Sequence, residues 1–265
     1  MKVMSMRPFL LATALALSAG SALADSIDIN YVGGGLLVSG LNYTANGTSS
    51  SLTAGELRYN TQNPSGDPGS GVYAIPASLS TFCIEINQHT SSASYTYNLV
   101  SLSQAPGPGS NGPGGNTFSS VVIDRIHAVM RSAMDLGYID SYLQPTGSAT
   151  AGKMAATQLA VWEAIWEAEG TTLALASGDS ELSGGSASVT SAAEAIFNGL
   201  DGLSGANAYI STGSRSSYGI SGLMALINPD KQDQLVVVPL PTAAWAGFGL
   251  LGITFIARRR KHIAL

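Results

Sequence analysis

Disulfide bonds cannot hold this chain together, because its 265 residues include a single cysteine, Cys83. In an oxidising compartment an unpaired thiol is a liability, and by itself it reads as a small buried hydrophobe. Histidine is scarce too, with three in all, and no His or Cys pair has ligand spacing, so neither a metal nor a cofactor is expected. The acidic stretches at residues 25–28 and 230–233 do not follow the EF-hand calcium pattern. Basic residues number twelve against seventeen acidic ones, and six of the twelve lie in the two ends of the chain. The middle is therefore strongly acidic, which argues against nucleic acid as a partner. Between the ends the only lysines are Lys153 and Lys231.

Residues 1–24 have the three parts of a secretory signal peptide: Lys2 and Arg7, an apolar stretch at 9–17, and the small-x-small sequence Ala22-Leu23-Ala24. Asp25 is the expected mature N-terminus, and no cysteine follows the cut to carry a lipid. At the other end, Val238-Pro239-Leu240-Pro241 precedes an uncharged segment at 243–257, followed by Arg258, Arg259, Arg260 and Lys261. At ~1.5 Å per residue that segment covers roughly 22 Å, short of the ~30 Å hydrocarbon core of a bilayer. The basic cluster would stay cytoplasmic.

Motif, marginal apolar helix and terminal basic cluster together resemble the PEP-CTERM sorting signal of Gram-negative bacteria, in a Val-Pro-Leu-Pro variant lacking the usual glutamate. The resemblance implies recognition by an exosortase-type membrane enzyme, with residues 238–265 initially in the inner membrane and the protein delivered to the cell envelope, outer surface or extracellular matrix. A plain C-terminal membrane anchor would place it in the same envelope.

The intervening residues 25–237 have the size of one large domain or two small ones. Apolar-polar alternation at Ile27, Ile29 and Tyr31 predicts a strand, with Leu36 and Val38 resuming after a turn at Gly33-Gly34-Gly35. Further strands are predicted at 55–59, 71–75, 80–86, 95–102, 218–220 and 234–238, with loops at 63–69 and 104–116. Helical periodicity predicts helices at 118–137, 152–169 and 191–200. The expected class is α+β: a β-sandwich or barrel with a helical insertion at about 118–201, plus the C-terminal sorting helix.

Two segments stand out: Phe82-Cys83-Ile84-Glu85 on a predicted strand, and Thr157-Gln158-Leu159-Ala160-Val161-Trp162 on a predicted helix. Helical spacing puts Met154, Ala155, Gln158, Trp162, Ile165 and Trp166 on one face. Gln158 thus points into an apolar stripe, where an unpaired carboxamide is costly. A hydrogen bond across a helix pair at the stripe's edge would meet that cost equally well.

The pair of segments resembles the two halves of the Cys-Gln thioester domains of bacterial surface proteins, an aromatic-Cys-Ile-acidic segment followed by Thr-Gln-x-Ala-Ile-Trp. Val161 and Glu85 are conservative departures from that pattern. Gln232-Asp233-Gln234-Leu235 also looks like the last strand of such domains. The resemblance implies Cys83 and Gln158 as the two halves of an internal thioester, walled from water by Phe82, Ile84, Thr157, Trp162 and Trp166. It implies a single-use covalent reagent rather than an enzyme, needing no cofactor and aimed at an amine or hydroxyl on a surface or matrix partner, protein or polysaccharide.

Two other readings compete. A non-covalent biofilm or exopolysaccharide matrix protein would keep Cys83 and Gln158 as core residues. A papain-like hydrolase would need His89 or His127 beside Cys83, and His127 reads as a half-exposed helix residue.

Overall fold

The computed structural model describes residues 25–45, 47–65, 75–108, 116–201 and 219–239. The signal-like residues 1–24, most of the strand expected at 71–75, and Leu240, Pro241 and Arg258–Arg260 lie outside the described residues.

Alternation that begins at Ser26 does not stop at Gly33-Gly34-Gly35, where the sequence predicts a turn. Strand β1 (Asp25–Ala45) runs straight through. It accommodates the glycines by slipping register with β2 (Thr48–Ser65) between Tyr31 and Gly33 and again between Gly34 and Leu37. Such bulges bend a long strand and increase its twist. Ala45 pairs with Thr48 across a tight connection in which Gly47 has a φ of 74°. That is the φ > 0 backbone that two-residue hairpin turns require. The sequence-predicted loop at 63–69 begins later than expected, because β2 continues to Ser65.

The remaining strands are β3 (Ser78–Cys83), β4 (Ser94–Ser101), β5 (Ser180–Ser183), β6 (Leu223–Asn228) and β7 (Lys231–Val237). All pairings are antiparallel, in the order β2-β3-β7-β6-β4-β1-β5, and β1 also pairs with β2. The hydrogen-bonded circuit of six strands therefore returns to its start, with β5 added along the far end of β1. Strand β6 lies later than the strand expected at 218–220: its run Leu-Met-Ala-Leu-Ile, ahead of Asn228, is continuously apolar, and alternation cannot find such a strand. The short edge strand β5 carries no apolar pattern at all.

The helices are α1 (Ser120–Asp135), α2 (Ala151–Trp166) and α3 (Ala187–Asp201), all placed in the chain between β4 and β6. The class is α+β. The hydroxyls of Ser119 and Thr150 cap α1 and α2 by accepting from Val122 N and Lys153 N. Helix α2 is not amphipathic: every residue from Met154 to Ile165 is buried. It packs on β1, β2 and β3 on one side and on α1 and α3 on the others. The single stripe expected from the sequence is thus a helix wrapped all round. No helix among the described residues is long and apolar enough to cross a membrane.

Val238 belongs to the fold as well as to the tail motif. Its side chain is buried and its amide donates to Gly222 O at 2.8 Å.

One glycine is fixed by its surroundings. Gly55 has a φ of 141°, and a Cβ there would stand 2.2 Å from the Leu36 carbonyl oxygen. Gly55→Ala is expected to cost about 1–3 kcal/mol, read as a lower urea midpoint. An unchanged midpoint would show that the strand can relax at this position.

Candidate functional site

Strand β3 ends at Cys83 and lies beside α2, which brings the two segments singled out in the sequence together. The Gln158 carboxamide is fully buried and docks on the backbone of Cys83. Its Oε1 accepts from Cys83 N at 2.7 Å and its Nε2 donates to Cys83 O at 2.8 Å. The side chain thereby acts as one more strand partner for Cys83, and its desolvation is offset at both ends. The alternative of a bond across a helix pair is replaced by this helix-to-strand pairing.

Cys83 is buried, and burial pushes its thiol up to about 12. It is a neutral thiol at rest. Among the described residues, Gln234 of β7 brings its side-chain Nε2 to 3.8 Å from Sγ. Gln234 is itself held, with Oε1 accepting from Thr81 Oγ1 at 2.9 Å and Nε2 donating to Gln232 O at 2.9 Å. Its involvement follows from the register, since Cys83 and Gln234 are direct cross-strand partners. The Gln232–Leu235 stretch attracted notice in the sequence, but no pattern there singles out Gln234.

Cys83 opens onto a pocket of about 390 Å³. Tyr31 and Leu37 of β1 line one wall, and residues 51–53, Gly55 and Leu57 of β2 another. Trp162 of α2, Gln232 of β7 and the segment after β3 (Ile86 and 88–90) complete it. Of the residues expected to wall the site, only Trp162 lines this pocket. Phe82 and Ile84 flank Cys83 in an extended chain and face away, both buried in the core. Thr157 donates its hydroxyl to Lys153 O, and Trp166 is half-buried outside the pocket lining. The five are close in sequence to Cys83 or Gln158, but of them only Trp162 shares the cavity that Cys83 lines.

Two carboxyl groups interact with each other near the β3–β7 pairing. Glu85 and Asp233 are both buried, and desolvation raises both, Asp233 to about 8 with Glu85 as a second cause. Asp233 Oδ1 accepts from Asn228 N at 2.7 Å, and Ile84 N donates to Asp233 O. A further buried acid, Glu163 of α2, accepts from Ala174 N at 2.9 Å and is likewise raised to about 8, chiefly by desolvation. Neighbouring Glu167 accepts from Asp179 N and Ser180 N. Arg125 of α1 then donates to the carbonyls of Glu167, Ala168 and Thr171. These bonds fasten the segment between α2 and β5 onto the helices.

His127 is not half-exposed as expected. It is buried on α1, its Nδ1 accepting from Ile220 N at 3.1 Å. His89 lines the pocket with Cys83. Lys153 and Lys231 are engaged on aromatic faces, over Tyr138 at 5.0 Å and over Tyr95 at 4.6 Å respectively, and neither lines the pocket.

Set against family models, curated proteins and solved structures, the chain finds no match.

Proposed function

We propose that this is an exported cell-envelope protein that joins Cys83 to Gln158 in an internal thioester and spends it once on an amine or hydroxyl of a surface or matrix partner. The observation that carries this reading is the docking of the Gln158 carboxamide on the backbone of Cys83 itself. In bond formation Sγ attacks the Gln158 carboxamide carbon, the thiol proton passes to Nε2, and ammonia leaves. Negative charge developing on Oε1 meets the Cys83 N–H already directed at it. The Cys83 carbonyl holds the nitrogen that departs. Burial of both residues excludes water from the product.

In the second half, a nucleophile adds to the same acyl carbon from the pocket and the thiolate leaves. Gln234 Nε2 faces the sulfur on which that charge appears. The nucleophile's proton restores the thiol, and the partner stays linked to Gln158 through an amide or ester. A hydrolase built on Cys83 is disfavoured by the same geometry, since catalytic thiols are held low and this one is held high.

The signal-like residues 1–24 and the PEP-CTERM-like tail support export and envelope retention, with an exosortase-type enzyme as processing partner. The non-covalent matrix reading has one observation on its side, namely that Gln158 is already satisfied by hydrogen bonds to Cys83 without any bond to sulfur.

Intact-mass measurement separates the two. Purified wild-type protein is expected to weigh one ammonia less than its sequence, and methylamine should add its full mass; Cys83→Ala should show neither. A wild type of full sequence mass that ignores methylamine would establish the matrix reading.

A further inference from the structure

Taking the thioester reading as its basis, the geometry points to a carbohydrate hydroxyl as the acceptor, bound in the Cys83 pocket and deprotonated by His89. Three features of the lining carry this.

First, the described lining has no carboxylate and no cation. Its polar groups are hydroxyls (Tyr31, Ser51, Thr53, Thr90), carboxamides and one imidazole. A lysine ammonium entering such a cavity loses its hydration with no anion to replace it. A neutral polyhydroxyl ligand meets hydrogen-bonding partners and an aromatic wall, and about 390 Å³ is enough room for a sugar unit rather than a bare side-chain tip.

Second, the hydroxyls and carboxamides of the lining both donate and accept hydrogen bonds. A sugar hydroxyl does the same and pairs with either kind of group. An ammonium only donates, and it would leave the donors of the lining opposed.

Third, a hydroxyl at neutral pH is a poor nucleophile until a base takes its proton, and imidazole is the side chain suited to that. His89 is exposed and lines the same cavity as Cys83. It takes the hydroxyl proton as the oxygen bonds to the Gln158 acyl carbon, and the C–S bond breaks. The imidazolium then returns that proton to the Cys83 thiolate. The products are a sugar ester of the Gln158 side chain and a free thiol.

The test starts with purified full-chain protein whose mass already shows the ammonia deficit. It is incubated in parallel with maltotriose, Nα-acetyl-lysine and methylamine, and adducts are counted by intact mass. Maltotriose is expected to add once, in a linkage released by hydroxylamine, while Nα-acetyl-lysine adds far more slowly. His89→Ala should lower the ratio of maltotriose adduct to methylamine adduct about a hundredfold. Acylation of Nα-acetyl-lysine in preference to maltotriose overturns the acceptor class and leaves the thioester standing. An unchanged adduct ratio in His89→Ala overturns the role of His89. Absence of the ammonia deficit before any probe is added overturns the thioester, and this inference with it.

Discussion

Gln158→Ala is expected to unfold at a markedly lower urea concentration than Cys83→Ala, although both variants lack the thioester and should ignore methylamine. The two substitutions remove different things. Cys83→Ala deletes a sulfur but leaves the Cys83 backbone, so the carboxamide of Gln158 keeps both of its hydrogen bonds. Gln158→Ala leaves the N–H and C=O of residue 83 buried beside an empty space. Each buried group left without a partner costs about 1–3 kcal/mol, so the two variants should differ by roughly 2–6 kcal/mol, before any cavity contribution. Wild type should stand above both. A bond across the 75 positions that separate the two residues closes a long loop, and cross-links of that span stabilise by up to about 4 kcal/mol. Equal midpoints for the two variants would mean that the carboxamide contributes nothing to the fold. A wild type equal to Cys83→Ala would mean that no cross-link is present.

Stability should fall as pH rises from about 5 to about 9, the reverse of the usual acid denaturation. Glu163 and Asp233 are both raised to about 8 by burial, whereas in the unfolded chain each ionises near pH 4. Between those values the native state holds protons that the unfolded state has released, so raising the pH favours unfolding. Below pH 4 both states are protonated and the effect vanishes. Above 8 the loss is complete, and the full difference between 4 and 8 corresponds to about 5 kcal/mol per group. Around Glu163 stand Tyr43, Glu167 and Arg125, and only the arginine opposes its protonation by charge. Around Asp233 the nearby acid Glu85, itself raised, works in the same direction. Glu163→Gln and Asp233→Asn retain the acceptor oxygens that bind Ala174 N and Asn228 N. Each should therefore flatten the profile and be most stabilising near pH 9. A wild-type profile that rises between pH 5 and 9 would contradict the burial of both acids.

The elements whose residues alternate or repeat at helical spacing were legible in the sequence: the early part of β1, β3, β4, α1 and α2 all fall where periodicity puts them. Cys83 and Gln158 were legible as a pair only through resemblance, since spacing alone leaves a buried glutamine with several possible partners. Other features depend on the third dimension. Gly33-Gly34-Gly35 has the composition of a turn, yet pairing with β2 on both sides carries the strand through it. Strand β6 is apolar on both faces and shows no alternation. The pocket is assembled from β1, β2, β7, α2 and the segment after β3. Trp162 therefore shares it with Cys83, while Phe82 and Ile84, its immediate neighbours, do not. Gln234 and the Glu85–Asp233 pair are brought to the site by the β3–β7 register, which no local pattern encodes.

The placement of Gln158 at the middle of a helix buried on all sides also determines where a tethered partner would pull. In the proposed reaction, once the acyl group has moved to an acceptor, Gln158 alone carries the tether, and tension enters the molecule through α2 rather than through the strand bearing Cys83. That helix bears on β1, β2, β3, α1 and α3 together, so the load is shared among many neighbours from its first step. The route toward the tail leaves through β7, which is hydrogen-bonded along both edges, to β3 and to β6. In the proposed tethered state, force between Gln158 and the tail passes from α2 to β3 and β7 within the closed circuit of strands.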